Sequence, residues 1–380
     1  MKNILITGGA GFIGSSLSLQ LIKKGYLVTV LDCLHPQIHG EHPEQASPLY
    51  LSIKDKVQFI KGDVTNKADW YKALNNQQIV VHLAAETGTG QSMYEIARYT
   101  NVNVGGTSIL LDYLTNEKHQ IEKVIVASSR AVYGEGRYFS QKMQTYFYPK
   151  DRKDEDLQNG IFELRNPEEV TEFLQVVATD EESKIQPKSI YGSTKYHQEQ
   201  SLMICCSSLN IPCVAFRYQN VYGPGQSLSN PYTGILSIFS TRIKQRKSIN
   251  IFEDGEESRD FVFIDDVVNA TIAGIEKEAA NFNVFNVGTG VATTVLTVAT
   301  TLMKNYGIEV PLEISGQYRK GDIRHNFAET TRLQTILNFA PAVDFETGLR
   351  LFCNWVNEQK IHADQYEHSL AEMREKGLLK

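Results

Sequence analysis

The chain has 380 residues, of which 42% are hydrophobic and 22% charged, with a formal net charge of -6. That length buries a large core with room for a second lobe, and the acidic balance argues against nucleic acid as a partner. No apolar run approaches the roughly 18 residues of a membrane span, and five cysteines without a C-x-x-C pair indicate neither a disulfide framework nor a metal site.

Lys2-Asn-Ile-Leu-Ile-Thr7 is a short β-branched run that predicts a buried strand. It enters directly from the amino terminus with no signal-peptide pattern, so the cytoplasm is the expected compartment. The strand ends in Gly8-Gly-Ala-Gly11-Phe12-Ile13-Gly14, with glycines three apart. Such a turn lets a diphosphate approach bare backbone, and the next helix, roughly Gly11 to Lys24, aims free N–H groups at it. A second strand, Tyr26-Leu-Val-Thr-Val-Leu31, closes on Asp32, where a carboxylate meets an adenosine ribose. Cys33-Leu34-His35 supplies no Arg or Lys to offset a 2′-phosphate, so the expected dinucleotide is NAD rather than NADP.

Val57 to Asp63 predicts a third strand, and Gly62-Asp63-Val64 is either an adenine-binding turn or a plain strand ending. Helix Ala68–Leu74 leads to strand Ile79-Val-Val-His82-Leu83 and to Ala84-Ala85, small enough for a cofactor to lie against the strand end. His82 is expected to be a packed strand residue rather than a catalyst. The loop Glu86-Thr87-Gly-Thr-Gly-Gln-Ser92 is too polar for a core and is expected to touch nicotinamide and substrate. A helix over Tyr94 to Asn116 and a strand over Lys123–Ala127 precede Ser128-Ser129-Arg130-Ala-Val-Tyr133-Gly134.

Residues 135–188 break the βα rhythm, leaving either a substrate-shaping subdomain or surface decoration. Lys150 to Lys184 holds eleven acids and five bases, which accounts for the whole net charge. Within the break, Pro167 to Leu174 predicts a short helix. Ile190 then opens a helix to about Leu209 that places Tyr191 and Lys195 on one face. Tyrosine ionises near pH 10; a neighbouring ammonium and a positive nicotinamide ring would lower that and make the phenolate a usable base.

Pro212–Arg217 predicts a sixth strand, ending in Tyr218-Gln-Asn220-Val-Tyr-Gly-Pro-Gly225, after which the alternation fades into a second lobe. That lobe is expected to hold a helix over Leu236 to Arg246, strands near Ile249–Phe252 and Arg259–Ile264, a short strand at Asn283–Gly288 and a charged terminal helix from Ile361 to Lys380. Arg259 and Arg324 are the expected diphosphate clamps, because guanidinium forks match phosphate oxygens.

Taken together, Gly8-x-x-Gly11-x-x-Gly14, Asp32, Gly62-Asp63, His82-Leu-Ala-Ala85, Ser128-Ser129, Tyr191-x-x-x-Lys195, Asn220, Arg259-Asp-Phe and Gly321-Asp-x-Arg-His325 resemble the extended short-chain dehydrogenases/reductases that act on nucleotide sugars. The resemblance implies an α/β fold: a Rossmann-type doubly wound parallel sheet over 1–215, interrupted by 135–188. A smaller lobe, mainly 216–380, would bind the nucleotide sugar, with some segments returning to the first domain. It implies Tyr191 as base, Lys195 on the ribose and tuning Tyr191, and Ser129 on the reacting sugar oxygen. Arg130, Thr87, Asn220, Arg259 and Arg324 would meet substrate, and a homodimer would form through the helices Tyr94–Asn116 and Tyr191–Leu209. Related dehydratases carry an acidic pair where Arg130-Ala131 stands, so a redox-neutral C4 epimerisation with bound NAD is expected. Asp32 to Gly40, Gly88 to Tyr94 and Ser129 to Gly136 resemble bacterial dTDP-L-rhamnose 4-epimerases. A CDP-sugar 2-epimerase, a 4-keto-sugar reductase and a non-catalytic NAD sensor are the alternatives.

Overall fold

Seven parallel strands form the central sheet of the computed structural model, which describes residues 2–228, 230, 234–360 and 366–380. They are β1 (Asn3–Thr7), β2 (Leu27–Asp32), β3 (Gln58–Lys61), β4 (Ile79–His82), β5 (Lys123–Ser129), β6 (Cys213–Tyr218) and β7 (Asn283–Val287). Their order is β7-β6-β5-β4-β1-β2-β3. The chain reverses direction across the sheet between β1 and β4, and ligands of open α/β sheets bind at the carboxyl ends beside such a point.

Alternation along the strands divides the core in two. Ile4 and Ile6 of β1 enter a large apolar cluster on one face, while Leu5 joins Leu31, Val80 and Val124 on the other. The central strands are covered on both faces, which is why they read as continuous apolar runs. The larger cluster continues into the second lobe through Phe261, Val262, Phe352 and Leu349, so the two lobes share one core.

The short strand expected at 283–288 in the second lobe forms at Asn283–Val287 but as the seventh strand of the main sheet, with Asn283 paired to Val214. The second lobe itself rests on short pairings: Asn220–Tyr222 with Phe261–Phe263, Ile249–Ile251 with Leu312–Ile314, and Ser258–Arg259 between Thr293–Thr294 and His325–Asn326.

Helix α1 (Phe12–Lys23) comes directly after the glycine turn, and α2 (Gly106–Asn116) ends the predicted 94–116 helix. Between Ile96–Tyr99 and α2 lies a π-helical turn, Thr100–Gly105, that swings Asn103 fully inside. There Asn103 takes the Glu86 N–H at 2.7 Å and donates to the Glu86 carbonyl at 3.1 Å and to Thr194 Oγ1 at 2.9 Å, anchoring the loop at Glu86. π turns recur at functional sites for such reasons.

Residues 135–188 are ordered around a small antiparallel sheet, Thr145–Phe147, Tyr138–Ser140 and Gln175–Val176, over a core of Tyr138, Leu164 and Leu174. The helix expected at 167–174 is absent. Asn166 Oδ1 takes the Glu168 N–H at 3.0 Å, and its Nδ2 donates to Glu172 at 2.7 Å, an Asx arrangement that competes with helix. A short helix lies at Asp154–Gln158 instead. None of residues 135–188, all of them described, lines the large cavity below. Of the predicted terminal helix, Tyr366–Glu375 is helical, while 361–365 lie outside the described residues.

Candidate active site

A cavity of about 1060 Å³ opens at the carboxyl ends of the strands, lined by Gly8 after β1, Asp32 at the end of β2, Ala84 after β4, Ser129 of β5 and Tyr218 of β6. At one end the glycine turn leaves room for nothing but backbone. A Cβ on Gly8, whose φ is +68°, would sit 2.9 Å from the Ala84 nitrogen, and one on Gly14 would sit 2.3 Å from the Gly8 carbonyl oxygen. No side chain caps α1, so its first N–H groups are left for an anion. Phe12 and Ile13 of that turn line the same end.

Asp32 is nearly buried, with Oδ2 taking the Ala10 N–H at 3.0 Å and Oδ1 the Leu34 N–H at 2.8 Å. Burial raises its pKa, and those N–H groups oppose the shift. Asp63, Val64, Leu83, Ala84 and Ala85 line the wall beside it. Asp63 Oδ1 is engaged by Thr65 N and Oγ1, both at 2.8 Å, so its carboxylate shapes the turn. A dinucleotide fits this glycine cradle, uncapped helix and strand-end acid.

The middle of the cavity carries the reactive groups. Helix α3 (Ile190–Ser208) begins with Ser189 as cap, its Oγ taking the Gly192 N–H at 3.1 Å, which fixes Tyr191 and Lys195 in the first turns. The Tyr191 phenol and Ser129 both line the cavity, and Ser129 Oγ takes the Ala131 N–H at 3.2 Å. Of the predicted serine pair, Ser128 is committed elsewhere, donating at 2.5 Å to Glu199, which is itself clamped by Arg217 at 2.6 Å.

Burial raises the Tyr191 pKa, and the offsetting influences are the nearby Ser129 hydroxyl and the Arg130 charge. The expected offset from Lys195 is not found. Lys195 is buried and donates to Gln198 Oε1 at 2.7 Å, and burial pushes its ammonium down to about 7. Gln198 in turn donates to Thr107 at 2.8 Å, alongside His82, whose ring meets Thr7 at 2.8 Å and Thr107 at 2.9 Å. His82 is thus a packed strand residue, as expected, its pKa lowered to about 3 by burial.

Beyond Tyr191 the cavity turns cationic. Arg130 Nε donates to Asn220 Oδ1 at 2.8 Å, and burial together with the Arg259 charge lowers the Arg130 pKa to about 9. Arg130, Asn220, Arg259 and Thr87 all line the cavity. Arg259 is braced by the carbonyls of Ser258 at 2.8 Å, Arg324 at 2.9 Å and Ile323 at 2.7 Å.

Arg324 is not at the site. It is 1% exposed, outside the cavity lining, and spends its donors on carboxylates: Glu163 at 2.6 Å, Asp254 at 2.7 Å and Glu253 at 3.0 Å. From the same loop it is Arg319, five residues earlier, that lines the cavity, held by Asp322 at 2.6 Å with its guanidinium 5.2 Å from the centre of the Phe252 ring. The Gly321-Asp322 turn shortly after Arg319 was the available signal. Residues 86–90 of the polar loop line the cavity, whereas Gln37 and Arg98, which pins Glu86 at 2.7 Å, line it without having been anticipated.

Comparison with known proteins agrees with this geometry. The chain is 36% identical to a dTDP-L-rhamnose 4-epimerase of Burkholderia thailandensis, over 94% of this chain and 96% of that protein. A UDP-glucuronic acid 4-epimerase from Bacillus cereus, solved with UDP-glucuronic acid and NAD, superposes with a TM-score of 0.74 at 26% identity, covering 94% of this chain and 99% of its own. A UDP-glucose 4-epimerase from Thermotoga maritima, solved with UDP-glucose, gives 0.73 at 29% identity over the same shares. The NAD dependent epimerase/dehydratase family model matches residues 4–153 and 168–288, and the chain belongs to that family.

Proposed function

We propose that the protein inverts C4 of a nucleotide-linked hexose, a dTDP-6-deoxy sugar in the first instance, through a 4-keto sugar and without net oxidation. The observation that carries this is one cavity that holds Ser129, Tyr191 and Lys195 together with a dinucleotide cradle and the Arg130, Arg259 and Arg319 cations. Bound NAD supplies the hydride acceptor, and later donor, that a redox-neutral inversion needs.

The protein's own share is acid–base work and positioning. Tyr191 removes the proton from the C4 hydroxyl and gives it back after the keto sugar has turned over. Ser129 holds the reacting oxygen against Tyr191, while Arg130, Arg259 and Arg319 offer the diphosphate charge-assisted hydrogen bonds. Lys195, beside Tyr191 on α3, holds the cofactor ribose, and Asp32 takes the adenosine ribose. Dehydration is disfavoured because a cation, Arg130, stands beside Tyr191 where a carboxylic acid would be needed to release water.

The relative from Burkholderia thailandensis supports the dTDP-sugar reading. We expect a homodimer through α2 and α3, where Ile204 is 64% exposed, and static light scattering at micromolar concentration checks it. All five cysteines are free thiols, which supports a reducing, cytoplasmic setting.

The deciding experiment incubates the purified protein, without added cofactor, with dTDP-, UDP-, GDP- and CDP-sugars, read by NMR and mass. The expected result is a product of unchanged mass inverted at C4, with dTDP-L-rhamnose as best substrate. Loss of water, or turnover only with added nicotinamide cofactor, would overturn the reading. Tyr191→Phe is expected to keep its NAD and lose on the order of 10²–10⁴-fold in turnover.

A further inference from the structure

The end of the chain is built into the cavity wall. Helix Tyr366–Glu375 buries Tyr366, Leu370 and Met373, which pack with Leu379 on Ile238 and Phe252. Of that cluster, Tyr366, Met373, Ile238 and Phe252 line the large cavity.

Backbone hydrogen bonds fix the last residues to the loop that carries Arg319. Tyr318 N donates to the Lys380 carbonyl at 2.9 Å, Lys380 N to the Tyr318 carbonyl at 3.0 Å, and Lys320 N to the Leu378 carbonyl at 2.9 Å. Side chains tie the segment to three further places. Tyr94 hydroxyl donates to Glu372 at 3.0 Å and its ring faces the Lys376 ammonium at 4.9 Å, Arg242 meets Glu367 at 2.8 Å, and Lys380 meets Asp154 at 3.0 Å.

The one cavity carries the dinucleotide cradle, Ser129 with Tyr191, the Arg259 and Arg319 cations, and this apolar wall. Arg319 lies over Phe252, so the cationic stretch and the apolar end adjoin. With the sugar at Tyr191 and the diphosphate at the arginines, the nucleoside lies on the far side of the diphosphate, at the apolar end. A flat heteroaromatic base suits a wall of aromatic rings and a thioether.

We propose that residues 366–380 form the base-recognising wall of the substrate site, with Met373 and Tyr366 against the nucleobase, and that this segment sets which nucleotide the enzyme accepts. This rests on the nucleotide-sugar reading above. The wall residues Tyr366 and Met373 offer an aromatic ring and a thioether rather than an acid or base, so the segment governs affinity and base preference rather than the chemical step.

The test is calorimetric titration of dTDP, UDP, GDP and CDP into the full chain, Met373→Ala and a chain ending at Lys360, with bound NAD measured in each. The expected result is a loss of at least tenfold for the preferred nucleoside diphosphate in both variants, a narrower spread among the four bases, and unchanged NAD content. Affinities within twofold of the full chain, or an equal loss for all four bases, would overturn the proposal. Should the shortened chain not fold, Met373→Ala alone decides by the same criteria. Failure of the full chain to bind any of the four would overturn both this proposal and the nucleotide-sugar reading, whereas base-selective loss without epimerase turnover would uphold the wall and refute only the reaction.

Discussion

The Lys195 ammonium donates to Oε1 of Gln198 at 2.7 Å, and both side chains are buried. Gln198 Nε2 is spent on Thr107 at 2.8 Å, so the amide is oriented with its oxygen toward the lysine. Burial has pushed that ammonium down to about 7 against the opposing charge of Glu199, and the Gln198 oxygen is an acceptor that further favours the charged form. Gln198→Leu is expected to drive Lys195 further toward the neutral amine and to weaken its hold on the cofactor ribose. The measurement is NAD retained after gel filtration, together with kcat with NAD in excess. A fall of about tenfold in retained NAD is expected from losing a charge-assisted bond, and unchanged retention would show that Gln198 only packs.

Arg130 is the cation that favours the Tyr191 phenolate. Removing it raises the phenol's pKa, so the base form is reached at higher pH. For Arg130→Met the acidic limb of the kcat profile is expected to move upward by about one pH unit, the scale of one nearby unscreened charge. The nucleotide-sugar KM should rise with it, since the diphosphate loses a donor. A profile superposable on the wild type would mean that Arg130 serves binding alone.

Most of the sheet was legible because its strands are buried on both faces and read as unbroken apolar runs between glycine turns, as in Ile4–Thr7 and Val28–Asp32. The residues of the cradle and of α3 were legible too, because their spacing is local. The illegible parts depended on partners far along the chain. Choosing between Arg319 and Arg324 required knowing that Glu163, Glu253 and Asp254 converge on the second. The edge position of Asn283–Val287 required a pairing with Val214 some seventy residues away. Pro167–Leu174 carries helical spacing, but Asn166 and Glu172 bond each other and Ser140 instead.

Glu135 gives the fold a pH dependence separate from catalysis. Burial lifts its carboxyl from 4.5 to about 7, although Arg152 and the Arg324 N–H oppose the shift. Between those values the native protein holds a proton that the unfolded chain has released, so this carboxyl favours the native state at low pH and loses that effect as pH rises through 7. Glu135→Gln has no proton to lose. The Tm of this variant relative to wild type is therefore expected to become more positive from pH 5 to pH 8, by scanning calorimetry. A gap that stays constant would mean Glu135 is ionised throughout.

The two arginines of the 318–325 loop should separate stability from binding. Arg324 neutralises Glu253, which is itself buried, along with Asp254 and Glu163. Arg324→Met leaves Glu253 to Arg152 alone and the half-exposed Asp254 and Glu163 to water, and is expected to destabilise by about 1–3 kcal/mol, less than breaking a fully buried pair. Arg319 lines the cavity, and its carboxylate partner among the described residues, Asp322, stands on the same loop. Arg319→Ala is therefore expected to raise the nucleotide-sugar KM by about tenfold or more through loss of a charge-assisted bond, with Tm changed by only a few degrees. Urea unfolding and steady-state kinetics on the pair distinguish the roles. If Arg324→Met instead proved stable with a raised KM, the diphosphate clamp would have to be returned to Arg324, and the carboxylates around it would serve to aim that guanidinium at substrate rather than to brace the fold.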